Sequence, residues 1–388
     1  MMKGQIIRAL VAVMFPILPA LNIMTLVPAL PAIAEFYGGG ERGEWIGQVL
    51  IAVPGLGFIP GSMLSGVLVR KLGMRLTLSV SILAFITIGA ACVAIDGWLG
   101  LLAARALVGG AAGVMAVAGT SIAAEFPNDV RDKLIGFSNG LGCVLSMVVL
   151  IASGWCVESW GWQSQSYLYL IAVPLVFTAV LVGADAPESG SSKAEERSTV
   201  AGLWPIYVLT IVATVGIFMS TAQWPFFLEG RGVTSGTTQA SIMAVFTLAA
   251  AVSGWLYGYA RRCVSARLIL SVVFLTLGGS MVGLPSVLSV PWFFVLSAIA
   301  GVGAGLAAPV MTSEILDSAA EQARAGAVAT LLSCMFIAQF LNPFLVNPLK
   351  HLLGVDNAFW TIGAAFVVAG LCFAAFKRSL SVFEISRA

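Results

Sequence analysis

The chain is a series of apolar stretches separated by short polar breaks, and each stretch is about as long as a bilayer-crossing helix, roughly 20 residues. An α-helix rises about 1.5 Å per residue, so such a stretch crosses the hydrocarbon core of a membrane. Hydrophobic residues make up 59% of the 388 residues and charged residues 10%, whereas soluble domains carry about 25% charged residues. The sequence therefore predicts an all-α polytopic membrane protein.

The polar breaks predict twelve transmembrane helices in two pseudo-symmetric bundles of six. Their approximate ranges are 9–34, 46–69, 76–95, 99–124, 134–157, 165–184, 203–228, 238–260, 267–285, 291–313, 326–349 and 357–376. The one long polar segment, 185–200, is rich in Ser and Glu and predicts a solvated cytoplasmic linker. We therefore expect an N-terminal bundle over 1–184 and a C-terminal bundle over 201–388.

Lysine and arginine predict the orientation, because positively charged loops stay on the cytoplasmic side. With both termini inside, sixteen of the 20 Lys and Arg residues fall in cytoplasmic segments. Only Arg42, Arg231 and Lys350 fall in external loops, and Arg105 lies inside an apolar helix. We expect both termini in the cytoplasm and location in a bacterial cytoplasmic membrane.

Other classes of function lack the residues that they need. The six cysteines are scattered without metal-ligand spacing, and no basic cluster alternates with aromatic residues. The single histidine, His351, cannot supply the clustered catalytic groups of a membrane enzyme. We expect no metal, no cofactor, no nucleic-acid partner and no enzymatic activity, and a monomer in the lipid bilayer.

The second half of the sequence repeats the first at a constant shift of 192 residues. The matched pairs are Gly66 and Gly258, Arg70 and Arg262, Arg75 and Arg267, Gly109 and Gly301, Gly113 and Gly305, and Glu125 and Asp317. Three of these pairs are charged, so the match is more than a coincidence of common glycines. Parallel repeats of this kind build two bundles that rock around a central site.

Two motifs give the chain a family resemblance. The segment GVLVRKLGMR at 66–75 follows the second predicted helix, GYARRCVSAR at 258–267 follows the eighth, and RALVGGAAG at 105–113 lies in the fourth. In these motifs the chain resembles the major facilitator superfamily, and in particular its twelve-helix efflux permeases. The resemblance implies alternating access, with helices 1, 4, 7 and 10 lining the cavity. The chain departs from the family with Arg70 in place of an acidic residue and without a Gly-Pro pair in helix 5.

Charged residues at the predicted cytoplasmic helix ends are candidates for a gate. We expect loop arginines to pair with acidic residues of neighbouring helix ends, and the pairs to separate when the protein opens inward. The alternative is that these arginines only fix the orientation and contact lipid phosphates. The candidate gate residues are Arg70, Arg75, Glu125, Arg131, Arg262, Arg267, Glu314 and Asp317.

Arg105 is the strongest single candidate for a binding residue. Placing a guanidinium at membrane depth costs about 2.5–3.5 kcal/mol even on lenient scales, and such residues usually face the bundle interior. The alternative is that Arg105 reaches the external interface, since Asp96 and Trp98 are close in sequence. Other candidates are polar or aromatic residues within the helices, each of which could instead join two helices. These are Asn22, Thr25, Gln223, Trp224, Gln339 and Asn342.

Proton coupling has few candidate residues. None of the 18 acidic residues lies in the middle of a predicted helix. Glu35 and Glu229, which close the first and seventh predicted helices, are the candidate proton sites, and solvation of an ordinary helix end is the alternative. We expect secondary active export of a small organic molecule, amphipathic or anionic, for which protons are the candidate coupling ion. Uptake by symport or facilitated diffusion remains open.

Overall fold

The fold was derived from a computed structural model that describes residues 2–123, 125–182, 203–319 and 324–375. The predicted linker 185–200 lies outside the described residues. Apolar helices dominate the described chain, and eleven of them are long and apolar enough to cross a membrane. One of the eleven, Gly40–Ala94, contains 55 residues, nearly three times the length that one crossing requires.

This long stretch is two membrane helices joined at Gly73. The backbone of Gly73 has φ 78° and ψ 160°, a conformation that glycine adopts without the steric cost of a side chain. The helical run from Gly40 to Ala91 therefore divides into α2, 40–72, and α3, 74–91. With this division the described residues contain twelve membrane helices, which confirms the predicted fold class.

The remaining helices follow the predicted order. They are α1, Gly4–Phe36; α4, Trp98–Ala123; α5, Asn128–Trp160; α6, Trp162–Leu181; α7, Trp204–Gly230; α8, Gly236–Cys263; α9, Ala266–Gly283; α10, Val290–Ser318; α11, Arg324–Leu353; and α12, Val355–Ala375.

Three of these helices are irregular. In α1, 3-10 turns at Phe15–Ile17 and Val27–Ala29 each contain a proline, which cannot donate a backbone hydrogen bond. In α6, the residues Trp162–Ala172 form a 3-10 helix before the α-helix Val173–Leu181 begins. In α7, a π turn at Met219–Gln223 precedes Pro225. Such irregular turns are frequent at functional sites.

The described residues form two compact units. One contains 2–182 and the first residues of α8, Thr234–Ser241, and the other contains 203–233 and 242–375. Each unit has its own apolar core, represented by Phe15 and Leu78 in the first and by Phe274 and Val310 in the second.

The glycines of the internal repeat make equivalent contacts in the two units. A Cβ on Gly109 would lie 2.0 Å from the Pro54 carbonyl oxygen, and a Cβ on Gly301 would lie 2.3 Å from the Phe246 carbonyl oxygen. Phe246 follows Pro54 by the same 192 residues that separate the glycines. Only glycine allows α4 to approach α2, and α10 to approach α8, this closely. The repeat seen in the sequence is therefore also a repeat in packing.

Candidate functional site

Arg105 lies inside the first unit, where its side chain joins three helices. Only 1% of its surface is exposed. Its Nη1 donates to the Tyr169 hydroxyl at 2.5 Å, and its Nη2 donates to the Asn22 carbonyl oxygen at 3.0 Å. The Tyr169 hydroxyl in turn donates to the Asn22 side-chain oxygen. The alternative that Arg105 reaches the external interface is therefore wrong, because its polar partners lie within the bundle.

The irregular backbone of α1 explains why Asn22 can accept from Arg105. In a regular helix the Asn22 carbonyl oxygen would accept from the N–H of Leu26, but that N–H donates to Ile23 instead. The Asn22 carbonyl oxygen is left for Arg105 and for the Thr25 hydroxyl, which donates to it at 3.0 Å. The 3-10 turn that begins at Val27 causes this shift.

The same distortion frees a second carbonyl in α1. The N–H of Ala29 donates to Leu26 rather than to Thr25. The Thr25 carbonyl oxygen accepts instead from the Ser153 hydroxyl of α5 at 2.5 Å. Asn22 and Thr25, both predicted as site residues, are therefore placed together by the proline-containing break of α1.

Tyr169 is a site residue that the sequence reasoning missed. It is 3% exposed and lies on the 3-10 part of α6. Its ring contacts the Phe85 ring at a centroid distance of 5.1 Å. Gly89 makes room for it, since a Cβ there would lie 2.4 Å from the ring. A hydroxyl-bearing aromatic residue within an apolar predicted helix was the available signal.

The charge of Arg105 is not neutralised by any acidic residue of the described chain. Its Nε is also buried without a hydrogen-bond partner among the described residues. Hydrogen bonds from a charged donor contribute roughly 1.5–3 kcal/mol each, which offsets the cost of burial. They leave the positive charge in place. An anion 4 Å from the Arg105 guanidinium would gain about 4 kcal/mol of electrostatic energy at an effective dielectric constant of 20.

A cavity of about 240 Å³ lies beside this cluster within the first unit. Three polar residues, Asn22, Thr25 and Tyr169, line it, and every other lining residue is apolar. Arg105 lies behind Asn22 and Tyr169, to which it is bonded. An apolar cavity with a few convergent polar groups is the usual form of a small-molecule site.

The second unit contains a separate buried polar cluster. Gln223 Nε2 donates to the Asn342 side-chain oxygen at 3.2 Å, and the Asn342 amide donates to the Val215 carbonyl oxygen at 3.0 Å. The ammonium of Lys350 donates to Gln223 Oε1 at 3.4 Å. Gln223 and Asn342, both predicted as site residues, are therefore bonded to each other. Lys350, which the sequence places in an external loop, lies within α11 instead.

The two other predicted site residues of this unit are also buried. Trp224 is 0% exposed, and its Nε1 has no hydrogen-bond partner among the described residues. Gln339 is 4% exposed and lies three residues before Asn342 on α11. The indole N–H of Trp224 is costly when buried without a partner, which makes Trp224 a candidate for ligand contact.

Ion pairs at the helix ends differ from the expected ones. Glu125 pairs with Arg8 of α1 at 2.8 Å rather than with a loop arginine. In the second unit Arg261 approaches Glu314 at 3.2 Å and Asp317 at 3.8 Å.

Four of the remaining gate candidates do not form the predicted pairs. Arg70, Arg75, Arg262 and Arg267 make no ion pair with a described residue. Arg131 lies in the first turn of α5. In the second unit the arginine that pairs with Glu314 is Arg261, next to the predicted Arg262, whereas in the first unit the partner of Glu125 comes from a different helix end, that of α1.

The candidate proton sites are exposed at the ends of α1 and α7, as their positions in the sequence predict. Both Glu35 and Glu229 are exposed. An acidic residue that the sequence reasoning passed over, Glu158 at the end of α5, caps the start of α8. Its carboxylate accepts from the backbone N–H of Thr237 at 3.1 Å and from the hydroxyls of Thr237 and Ser235. A carboxylate at a helix N-terminus satisfies unpaired N–H groups and complements the helix dipole.

Comparison with known proteins decides the family. The model of the Major Facilitator Superfamily matches residues 17–277, about two thirds of the chain. This chain belongs to the Major Facilitator Superfamily. It is therefore a multi-pass membrane transporter and not an enzyme.

Solved structures share the fold along nearly the whole length. The inward open xylose transporter XylE from E. coli has a TM-score of 0.74 at 14% identity, covering 98% of each chain. The nucleoside transporter NupG has a TM-score of 0.72 at 11% identity, covering 95% of this chain and 100% of its own. The peptide transporter POT has a TM-score of 0.75 at 16% identity, covering 98% of this chain and 95% of its own. Identities this low establish the architecture alone.

Proposed function

We propose that this superfamily member exports a small amphipathic organic anion across a bacterial cytoplasmic membrane by alternating access. The observation that supports this most is the charge of Arg105. It is 1% exposed, has no acidic partner among the described residues, and lies behind the polar end of an apolar cavity. An anionic group placed there would gain electrostatic energy that a neutral or cationic solute would not.

Each polar residue has a proposed part in binding. Asn22 and Tyr169 orient the anionic group, and Arg105 supplies the charge. The Thr25 hydroxyl donates to the Asn22 carbonyl oxygen and so stabilises the irregular backbone of α1. In the second unit we assign substrate contact to four buried residues, Gln223, Trp224, Gln339 and Asn342.

The charged helix ends form the proposed cytoplasmic gate. Ion pairs such as Arg8 with Glu125 and Arg261 with Glu314 would hold the ends together in one state and separate in the other. Exposed pairs of this kind are individually worth about 0–1 kcal/mol, which suits contacts that must break in every cycle. The other predicted gate arginines, Arg70, Arg75, Arg131, Arg262 and Arg267, remain part of this proposal.

Counterflow in proteoliposomes tests the role of Arg105. Vesicles loaded with an unlabelled alkyl carboxylate are diluted into its labelled form, and the matching alkyl alcohol is run in parallel. Wild-type protein and Arg42→Gln, a variant of an exposed external arginine, should accumulate the carboxylate and not the alcohol. Arg105→Gln should lose this accumulation while keeping its elution profile. Full counterflow by folded Arg105→Gln would refute the proposal.

Uptake is the second candidate function. One structure of the same fold is that of a D-xylose-proton symporter, with a TM-score of 0.75 at 14% identity. The described residues include no Asp or Glu in the middle of a membrane helix, and the candidates Glu35 and Glu229 are exposed at helix ends. Transport after a pH jump, imposed in either direction on oriented vesicles, discriminates between the candidates. If export is coupled to protons, the substrate must accumulate only on the acidic side of the vesicle membrane. If transport is facilitated diffusion, substrate accumulation does not respond to the pH jump.

A further inference from the structure

The cavity of the first unit is elongated, with its polar groups at one end. Its α1 lining runs from Met14 to Thr25, eleven residues or about 16 Å along a helix. Asn22 and Thr25 lie toward one end of this lining, together with Tyr169 of α6. Toward the other end the lining from α1 and α6 is apolar, as Met14 and Leu175 illustrate. The shape and polarity suit a chain with a polar head.

The lining of this cavity reaches the exposed surface between α5 and α6, at a place that we call the gap. Helix α5 contacts Trp162–Ala172, the 3-10 part of α6, but makes only sparse contact with Val173–Leu181. Leu145 of α5 and Pro174 of α6 line the cavity on the two sides of this gap.

The outer surface around the gap is apolar. Ile171, which also lines the cavity, is 55% exposed. Its sequence neighbour Leu170 is 47% exposed, and Val144, the sequence neighbour of the lining residue Leu145 on α5, is 53% exposed. Exposed apolar side chains on a membrane helix contact lipid tails, so a solute dissolved among these tails meets no polar barrier at this gap.

The polar end of the cavity selects the sign of charge. The Asn22 amide nitrogen has no hydrogen-bond partner among the described residues, whereas the Tyr169 hydroxyl donates its proton to the Asn22 side-chain oxygen. Behind them is Arg105, with no carboxylate of the described chain at ion-pair distance. A carboxylate at this end would accept from the Asn22 amide and meet a buried positive charge. An ammonium group would meet repulsion.

We propose that the gap between α5 and α6 admits the substrate laterally from the bilayer, and that the substrate is a single-chain amphiphile with a carboxylate head. The alkyl chain occupies the apolar length of the cavity, and the carboxylate lies against Tyr169 and Asn22 in the field of Arg105. At about 240 Å³ the cavity is smaller than the roughly 300–1,000 Å³ typical of drug-sized ligands, which favours a slender chain. This inference rests on the proposed function, because it assigns the substrate class and route of the same site.

Photolabelling in proteoliposomes tests the route. The probe is an alkyl carboxylate with a diazirine near the end of its chain, added to the lipid, and the matched probe is an alkyl ammonium. Mass spectrometry should find carboxylate adducts on cavity residues such as Met14 and Leu175. The preference over the ammonium probe should be at least about tenfold, which requires only about 1.4 kcal/mol.

Two variants separate entry from surface contact. Leu145→Trp fills the gap, and Val144→Trp adds the same bulk on the adjacent lipid-facing position, which does not line the cavity. Labelling inside the cavity should fall in the first variant and persist in the second. Equal labelling by both probes would show a lipid-filled void and overturn the proposal, as would cavity labelling that Leu145→Trp leaves unchanged.

The outcome also distinguishes the route from the proposed function. If the carboxylate probe labels other residues and loses that labelling in Arg105→Gln, lateral entry is refuted and anion transport stands. If counterflow of short, water-soluble carboxylates depends on Arg105 but not on Leu145→Trp, the same conclusion follows. If neither labelling nor counterflow responds to Arg105→Gln, both proposals fail.

Discussion

Replacing Tyr169 with Phe removes one oxygen atom and leaves two buried groups without their partner. Arg105 Nη1 loses its acceptor, and the Asn22 side-chain oxygen loses its donor. A hydrogen bond from a charged donor contributes about 1.5–3 kcal/mol, and a neutral bond between membrane helices averages about 0.6 kcal/mol. Because water in the adjacent cavity can replace part of this bonding, we expect a loss of about 2 kcal/mol in the free energy of unfolding.

Tyr167→Phe is the matched control, since this side chain is 54% exposed two residues earlier on the same helix. Unfolding by SDS in mixed micelles, followed by circular dichroism, gives the free energy for each variant. The control should lie within about 0.5 kcal/mol of the wild type, as surface changes usually do. If Tyr169→Phe is as stable as Tyr167→Phe, the hydroxyl does not hold Arg105 in place, and the geometric account of the site is refuted.

Three further predictions concern packing, the second cluster and the helix ends. Gly89→Ala places a Cβ 2.4 Å from the Tyr169 ring, so this variant should show weaker thermal stabilisation by a ligand. In the control, Gly279→Ala, the added Cβ has nothing within 4 Å, and the thermal stabilisation should not change. Asn342→Leu removes the Asn342 side-chain oxygen that accepts from Gln223 Nε2 and should cost about 1–3 kcal/mol in SDS unfolding; an unchanged value would contradict the assigned bond. A double-mutant cycle on Arg8 and Glu125 should give a coupling of no more than about 1 kcal/mol that falls with salt, and a larger, salt-independent coupling would contradict a separable gate.

The architecture could be predicted because membrane crossing imposes a length and a composition on each helix. The helix count, the distortion of α7 and the glycine contacts of the repeat all follow from local sequence. Gly109 and Gly301 are informative because an absent side chain at a packed position has one consequence, a close helix approach.

Partners within the bundle could not be predicted from the same information. Arg105 was recognisable because a permanent charge in an apolar helix is conspicuous. Tyr169 was not, because which face of α6 turns inward depends on a 3-10 segment that no periodicity reveals. The pairing of Glu125 with Arg8 and of Glu314 with Arg261 likewise depends on how helices are rotated within each unit.

Equilibrium binding of a matched ligand pair tests the central claim most directly. An alkyl carboxylate and its neutral amide are measured against wild-type protein and Arg105→Gln, so that each protein yields a preference for the charged ligand. At an effective dielectric constant of 20, a charge 4 Å away contributes about 4 kcal/mol before desolvation, and we expect a wild-type preference of at least about tenfold. That preference should disappear in Arg105→Gln, while amide binding stays the same. An equal preference for the carboxylate in both proteins would contradict the account.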